Sequence, residues 1–307
     1  IGSAEQPILF TSLADKPENR WGGLYFAGST ANASVLEHCH IRHGGSNFAS
    51  AAVDSMIRCE GSSPTFNFCR VEDSANAGMS LIDSQAQLTS IQFVNNKAAA
   101  LYMDTASFPV FTTITAEGNS FDAIQIGGGS LTASGRWDYA EIPYLLAGDI
   151  TLAAGATLTI DPGTIVQSRD IATDFIIQGT LNAAGEADRP IVFTSLKDLP
   201  ENTWGGILFN NAGADGSIMK HCRIRYGGSN FASATVESLL RCEASSPTLS
   251  DCWITNSHTN GLSLVNSRAN VASVRFAANA NYAAYMDLQS FPQFTTVSAE
   301  NNQFDGI

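Results

Sequence analysis

The side chains best suited to acid–base chemistry are carboxylates and arginines that occur twice, at a fixed offset of 183 residues. The repeated set is Glu60 and Glu243, Arg58 and Arg241, and Asp104 and Asp287. Two acids on neighbouring strands could act as a general acid and a general base. Arg and Glu at alternate positions of a strand also fit an ordinary solvated outer face, where we expect both to point outward. No acidic cluster is dense enough to define a catalytic pair.

A second group of side chains could contact a ligand. Aromatic rings beside polar groups can stack on sugar rings, with a hydrogen-bonding group at the edge. The candidate binding residues are Tyr102, Asp104, Tyr285, Asp287, His38, Arg42, His221 and Arg225. We expect Trp21, Phe108 and Phe291 instead to fill corners of the fold.

Histidines recur in a stretch that the chain contains twice, HCHIRHGGSNFAS at 38–50 and HCRIRYGGSNFAS at 221–233. The histidines of the first copy are His38, His40 and His43. Two imidazoles at alternate strand positions could share a metal ion. In the second copy, however, Arg223 and Tyr226 replace two of the three histidines. We therefore predict a polar outer row followed by a GGSN turn, and no metal site.

Cysteines form two equivalent triplets: Cys39, Cys59 and Cys69, and Cys222, Cys242 and Cys252. The phrases HCHIR and FCRVE place Cys39 and Cys69 at like positions of neighbouring strands. Because a free cysteine behaves as a small hydrophobic residue, we predict a ladder of buried thiols. A disulfide within each copy stays open, since a secreted setting would permit it. A catalytic thiol would lack a repeated histidine partner, and a zinc site would lack CxxC spacing.

The elements that must position these residues are short strands. Apolar residues alternate over four to six positions and then stop at Gly, Asn, Asp or Ser, which indicates strands bounded by tight turns. The turns are predicted at Gly45-Ser46-Asn47, Asp73-Ser74, Asn95-Asn96 and Gly118-Asn119. Anchor positions recur about every 22 residues, so the turn residues of successive coils should stack. The sequence predicts an all-β, right-handed parallel β-helix, a solenoid of about fourteen coils.

A tandem duplication with a 183-residue period organises the chain. Residues 1–124 align with residues 184–307 without a gap, and about half of the aligned residues are identical. We divide the chain into a first module copy at 1–124, connecting coils at 125–183 that complete the first unit, and a second copy at 184–307. Both copies are expected to be incomplete parts of a longer repeat array. The expected partners are therefore neighbouring modules, or other copies of the chain by end-to-end association.

Acidic residues outnumber basic ones, 29 to 16, and the net charge is −13. Such a surface should repel phosphate backbones, so we expect no nucleic-acid partner. No run approaches the roughly 18 apolar residues of a membrane span, and we expect no membrane insertion.

The stretch from Tyr144 to Ser195 consists of very short strands separated by AG, DPG and QG turns. With WGGI at 204–207 and the phrases ASSPTLSDCWITNS and RFAANANYAAY, it resembles the right-handed parallel β-helix repeats of bacterial secreted and cell-surface proteins, in the pectin-lyase-like superfamily. The likeness covers essentially the whole chain. It implies the fold, and it is compatible with lyases, hydrolases, adhesins and inert stalks.

We predict from this resemblance an extracellular, structural or adhesive β-helical segment of a larger bacterial surface or filament protein, able to bind glycans. The alternative is a polysaccharide lyase or glycoside hydrolase that uses clustered acids and arginines on one face of the helix. Duplication favours the first hypothesis, because repeated weak sites raise effective concentration whereas one groove suffices for catalysis. No cofactor is predicted, and calcium at an acidic bend is left open.

Overall fold

The computed structural model describes residues 1–46, 53–138, 141–229 and 237–305. The predicted turn residue Asn47, with residues 48–50 and the equivalent residues 230–233, lies outside the described residues. The chain divides into two compact units, which we describe separately. Unit 1 comprises Ile1–Gly127 and Ala140–Tyr144, and unit 2 comprises Gly128–Tyr139 and Leu145–Ile307. Across the described residues, no helix is long and apolar enough to pass through a membrane.

Short strands and two 3₁₀ turns build unit 1. The strands are β1 (Ile8–Phe10), β2 (Leu24–Ala27), β3 (Val35–Glu37), β4 (Cys39–Arg42), β5 (Ser55–Glu60), β6 (Thr65–Asn67), β7 (Arg70–Glu72), β8 (Ala77–Ile82), β9 (Gln87–Val94), β10 (Ala99–Met103), β11 (Val110–Glu117) and β12 (Phe121–Ile126). The 3₁₀ turns span Leu13–Asp15 and Ser29–Ala33.

All the strand pairs of unit 1 are parallel and form stacked faces. One face has the order β2-β5-β8-β10-β12. The other strands share a sheet in which β9 pairs with β6 through its first half and with β7 through its second half. This sheet therefore bends into two faces at the corner within β9. Successive strands of each face come from successive coils, which is the arrangement of a parallel β-helix.

Unit 2 repeats this construction. Its strands are β13 (Gly129–Leu131), β14 (Gly135–Trp137), β16 (Ile150–Leu152), β17 (Thr157–Ile160), β18 (Ile165–Ser168), β19 (Asp174–Ile177), β20 (Thr180–Ala184), β21 (Ile191–Ser195), β22 (Gly206–Asn210), β23 (Ile218–Lys220), β24 (Cys222–Arg225), β25 (Ser238–Glu243), β26 (Thr248–Ser250), β27 (Trp253–Thr255), β28 (Asn260–Val265), β29 (Asn270–Ala272), β30 (Arg275–Ala277), β31 (Ala284–Met286), β32 (Gln293–Thr295) and β33 (Ser298–Glu300). Strand β15 (Tyr144–Leu146) lies where the units divide. The 3₁₀ turns span Leu196–Asp198 and Ala212–Ala214.

The faces of unit 2 are three parallel stacks. Two have the orders β13-β16-β19-β22-β25-β28-β31 and β14-β17-β20-β23-β26-β29-β32, and the third contains β18-β21-β24-β27-β30-β33. The predicted all-β parallel β-helix is therefore confirmed as the fold of the described residues.

Apolar side chains stack inside each unit in register. Ile57, Met79, Leu101 and Ile124 are successive partners across β5, β8, β10 and β12, and all four are fully buried. Because side chains alternate across a strand, one row of each face enters the core and the next row faces away from it. This alternation decides which residues are available to a site.

One sharp corner recurs in every coil of the two repeated modules, and its residue has a positive φ. We call this series the corner row: His38, Phe68, Ser90 and Thr113 in unit 1, with φ of 50°, 53°, 53° and 59°, and His221, Asp251, Ser273 and Thr296 in unit 2, with φ of 47°, 54°, 54° and 53°. A positive φ is uncommon outside glycine. The residue type is nonetheless kept at three of the four corners, and only Phe68 and Asp251 differ.

Asparagine side chains accept hydrogen bonds from backbone amides at another set of turns. The amide of Asn96 donates to Asn119 Oδ1 at 2.9 Å, and the amide of Asn279 donates to Asn302 Oδ1 at 3.0 Å. A buried backbone N–H without a partner is costly, so each side chain stabilises the coil before it. The predicted stacking of turn residues is confirmed at these positions.

All six cysteines are buried free thiols, which confirms the predicted ladder rather than a disulfide in each copy. In unit 1 the pairing of His40 with Arg70 aligns the preceding residues, Cys39 and Cys69. Burial raises the pKa of the Cys59 thiol to about 12. A thiol with so high a pKa is a poor nucleophile at neutral pH.

Candidate functional site

Arg58 and Glu60 form an ion pair on β5. Arg58 Nε and Nη2 lie 3.1 and 3.0 Å from Glu60 Oε2, which also accepts a 2.8 Å hydrogen bond from the hydroxyl of Tyr25. The Tyr25 hydroxyl, followed by Arg58, lowers the pKa of the Glu60 carboxyl. A carboxylate that is held ionised in this way is a poor general acid.

The expectation that Arg58 and Arg241 lie on an exposed face is wrong. Only 6% of Arg58 and 2% of Arg241 is accessible, because their strands are covered on both faces. Ser80, the partner of Arg58 on the outer side of β8, is likewise fully buried. Arg58 Nη1 donates to the carbonyl of Val53 at 3.3 Å. Burial and these hydrogen bonds assign the arginines a structural part.

Asp104 and Asp287 support turns. Asp104 accepts hydrogen bonds from the amides of Asp83 and Ala106, each at 3.2 Å, and from the Ser107 hydroxyl at 2.7 Å. Asp287 makes the same contacts with Asn266 and Ser290, and the Ser290 hydroxyl lowers the pKa of its carboxyl.

Tyr102 and Tyr285 lie on the same outer rows as the two buried arginines. Arg58, Ser80 and Tyr102 are successive partners, as are Arg241, Ser263 and Tyr285. Burial, and then the charge of Asp104, raises the pKa of the Tyr102 phenol. The structure thus places the predicted Arg and Tyr of each copy on one row, with a single strand between them, and this row is largely covered.

Arg42 binds two carboxylates in unit 1. It contacts Asp15 through Nε at 2.7 Å and through Nη2, and its Nη1 lies 3.4 Å from Glu72. Hydrogen bonding to Arg42 lowers the pKa of the Asp15 carboxyl. In unit 2 Arg225 contacts Asp198 in the same way. These arginines join a 3₁₀ turn to a strand, and their guanidinium groups are already occupied by this contact.

The three histidines of the first copy lie in different environments. The ring of His38 stacks on Phe68 with centroids 4.9 Å apart. His43 Nδ1 lies 3.4 Å from Asp15 Oδ1, and its Nε2 lies 3.7 Å from Asp73 Oδ2. Within the described ranges, no three His, Cys, Asp or Glu side chains are grouped so that they could hold a metal ion.

Each unit carries a concave groove beside its corner row. The groove of unit 1 has a volume of about 310 Å³, and its lining includes His38, His40, Phe68, Arg70, Ser90 and Gln92. The groove of unit 2 has a volume of about 280 Å³, and its lining includes His221, Arg223, Asp251, Trp253 and Ser273. Most of the lining residues are equivalent at the 183-residue offset, so the duplication has preserved the groove while changing several side chains.

The aromatic side chains of the two grooves differ. Phe68 of unit 1 is 51% exposed, and Trp253 of unit 2 is 45% exposed. Trp253 lies between Arg223 and Arg275 on adjacent strands, and each guanidinium carbon is 5.1 Å from the ring centroid. Such cation–π contacts hold an exposed ring in a fixed orientation.

Of the predicted binding residues, only His38 and His221 line the grooves. Sequence reasoning missed Phe68, Asp251 and Trp253. The available signal was their position beside Cys69 and Cys252, where a charged or aromatic residue on each side of a buried cysteine must face away from the core.

Two family models match the chain. Residues 9–138 match a right-handed β-helix region, and residues 129–267 match a pectate-lyase-like β-helix domain. No curated protein and no solved structure shows significant similarity. Together with the stacked parallel strands, the two matches identify the chain as a right-handed parallel β-helix repeat protein.

Proposed function

We propose that the chain is a structural segment of an extracellular bacterial surface or filament protein, and that it binds glycans through its grooves. The observation that carries the proposal is the recurrence of one groove at equivalent positions of both units. An exposed ring with hydrogen-bonding groups at its edge suits a sugar, which has both apolar and hydroxyl surfaces. Pectate-lyase-like β-helix domains fit a polysaccharide-related or structural role.

The hydrogen bonds and ion pairs of the candidate catalytic carboxylates favour a binding function over a catalytic one. Asp104 and Asp287 each hold a backbone amide and a serine hydroxyl of a turn. Glu60 is held by Arg58 and Tyr25. An acid that serves as a fixed acceptor for structural donors is poorly placed to exchange a proton with a substrate.

Association between copies of the chain is the second element of the proposal. In unit 1, β12 pairs with β10, and only 1% of the Met103 surface is exposed. The equivalent residue of β31 is Met286, which is 51% exposed, and the nearby Leu288 is 93% exposed. A strand edge with exposed apolar side chains recruits another strand. A coil of a second copy has the chemistry to cover it.

One experiment separates glycan binding from polysaccharide cleavage. The chain is incubated with neutral and acidic polysaccharides, and retention on each is measured beside new reducing ends and the absorbance of unsaturated products. We expect retention without product. Turnover that is abolished by Asp104→Ala or Asp287→Ala would establish the lyase or hydrolase instead, and a chain that neither binds nor cleaves would contradict both.

A further inference from the structure

Asp251 gives the groove of unit 2 a chemistry that its counterpart in unit 1 lacks. It occupies a corner with φ of 54°, where its backbone amide donates to the carbonyl of Ala272 and its side chain is exposed. Among the described residues, its carboxylate has neither a hydrogen-bond partner nor an ion-pair partner. Asp251 therefore offers free acceptor oxygens to the groove.

Arg223 supplies the complementary donors. Its guanidinium stacks on Trp253, and no carboxylate of the described residues lies within ion-pair distance. The other arginine beside the indole, Arg275, is already paired with Glu300. Among the described residues, the groove therefore presents one cation without an ion-pair partner, Arg223, and one such anion, Asp251. The charges of these two side chains cancel.

The geometry points to a neutral polysaccharide as the ligand of this groove, an inference that rests on the proposed glycan-binding function. A carboxylate can accept hydrogen bonds from two adjacent sugar hydroxyls, and a guanidinium can donate to ring or hydroxyl oxygens. The exposed part of Trp253 adds apolar surface beside these groups. An acidic glycan would instead bring its carboxylates against Asp251, in a protein whose net charge is −13.

The groove of unit 1 cannot reproduce this arrangement. Phe68 stands in place of Asp251 and stacks on His38. Arg70 stands in place of Trp253, and its Nε lies 2.6 Å from Glu72 Oε2. Since Arg70 and Glu72 beside this groove already pair with each other, the neutral-sugar site belongs to unit 2, and the groove of unit 1 does not compensate for loss of Asp251.

The test compares Asp251→Asn with the matched control Glu201→Gln, which removes one exposed charge from unit 2 outside the groove. Binding is measured by affinity electrophoresis and calorimetry against xylan, galactomannan, arabinogalactan and β-glucan, with polygalacturonate as the acidic probe. We expect the wild type to prefer a neutral polymer, and Asp251→Asn to weaken that binding about tenfold or more, because hydrogen bonds to charged groups are the strong ones. Trp253→Ala should weaken it as well, and Glu201→Gln should not. Circular dichroism confirms that each variant is folded.

The outcomes separate this inference from the proposed function. Binding to a neutral polymer that survives Asp251→Asn unchanged, or a preference for polygalacturonate, overturns the neutral-sugar site but leaves glycan binding standing. A wild-type chain that binds none of the polymers overturns both.

Discussion

Arg225 donates two hydrogen bonds to Asp198, from Nε to Oδ1 at 2.6 Å and from Nη2 to Oδ2 at 2.5 Å. The pair joins the 3₁₀ turn Leu196–Asp198 to β24, and Arg42 with Asp15 forms the same contact in unit 1. Planar, bidentate contact between arginine and a carboxylate is the strongest geometry for such a pair. Its recurrence in both units indicates that the module requires it to hold the turn.

Replacing Arg225 with Met should therefore destabilise unit 2. With side chains that are 26% and 39% exposed, the pair should contribute about 1 kcal/mol, because solvent screens it in part. Urea unfolding of Arg225→Met, Asp198→Asn and the double variant would measure the coupling directly. Lys220→Met, on an exposed strand position, is the control. A coupling of zero would contradict the structural part assigned to the pair.

Asn279→Ala should cost more than loss of the ion pair. Asn279 is 2% exposed, accepts from the amide of Ser257 at 3.0 Å, and donates to the carbonyl of Ile254 at 3.2 Å. Truncation leaves buried backbone groups without partners, which costs about 1–3 kcal/mol for each such group. The free energy of unfolding by urea gives the value, with Asn270→Ala on the exposed side of β29 as the control. Equal stability of both variants would show that water replaces the ladder.

Much of this framework could be predicted from sequence. The alternation around Ile41 and Val71 and the Asn turns at Asn96 and Asn119 indicated stacked short strands, because both signals are local. The burial of Arg58 could not be predicted in the same way. Alternation correctly places Arg58 away from the core, but it does not reveal that the outer side of its strand is covered as well.

The grooves were missed for a related reason. Their shape depends on corner residues with a positive φ, and Phe68 and Asp251 are not residue types that signal such a conformation. The orientation of Trp253 depends on arginines of the preceding and following coils, each 22 or more residues away in sequence. Sequence spacing does not identify the contacts of Trp253 with these two arginines until the register of the strands is known.

Acid should destabilise unit 1 through Glu72. Burial opposes ionisation of this carboxyl, but Arg70 and Arg42 outweigh it and lower its pKa below the ordinary value of 4.5. A lowered folded-state pKa contributes stability above the unfolded pKa, and this stability is lost as the pH falls through the folded pKa. Unfolding free energies should therefore be level above about pH 4.5 and fall below it. Glu72→Gln should be less stable at pH 7 with a shallower acid slope, and an unchanged slope would contradict the assignment.

The six thiols should not react with a thiol reagent while the chain is folded. All six are buried, and burial raises the pKa of Cys59 and of Cys69 to about 12. Because only the thiolate reacts, an aromatic disulfide reagent at neutral pH should label none of them before denaturation and all of them after it. A titre of four or fewer after unfolding without reductant would indicate a disulfide, and rapid labelling of the native chain would show that a cysteine is accessible.

Met286 should control association between copies of the chain. Its counterpart Met103 is 1% exposed because β12 pairs with β10, whereas Met286 is 51% exposed on β31. Within the described residues β31 is the last strand of its face and carries exposed apolar side chains. A charge placed there opposes strand pairing. Sedimentation velocity over a range of concentrations should show association by the wild type, and Met286→Lys should shift it toward monomer. Ile218→Lys, at a position that is 42% exposed on β23, adds the same charge elsewhere in unit 2 and should leave association unchanged. Because the contact is apolar and uses backbone hydrogen bonds, raising the salt concentration should not dissociate it. A chain that is monomeric at every concentration would show that this edge recruits no second copy.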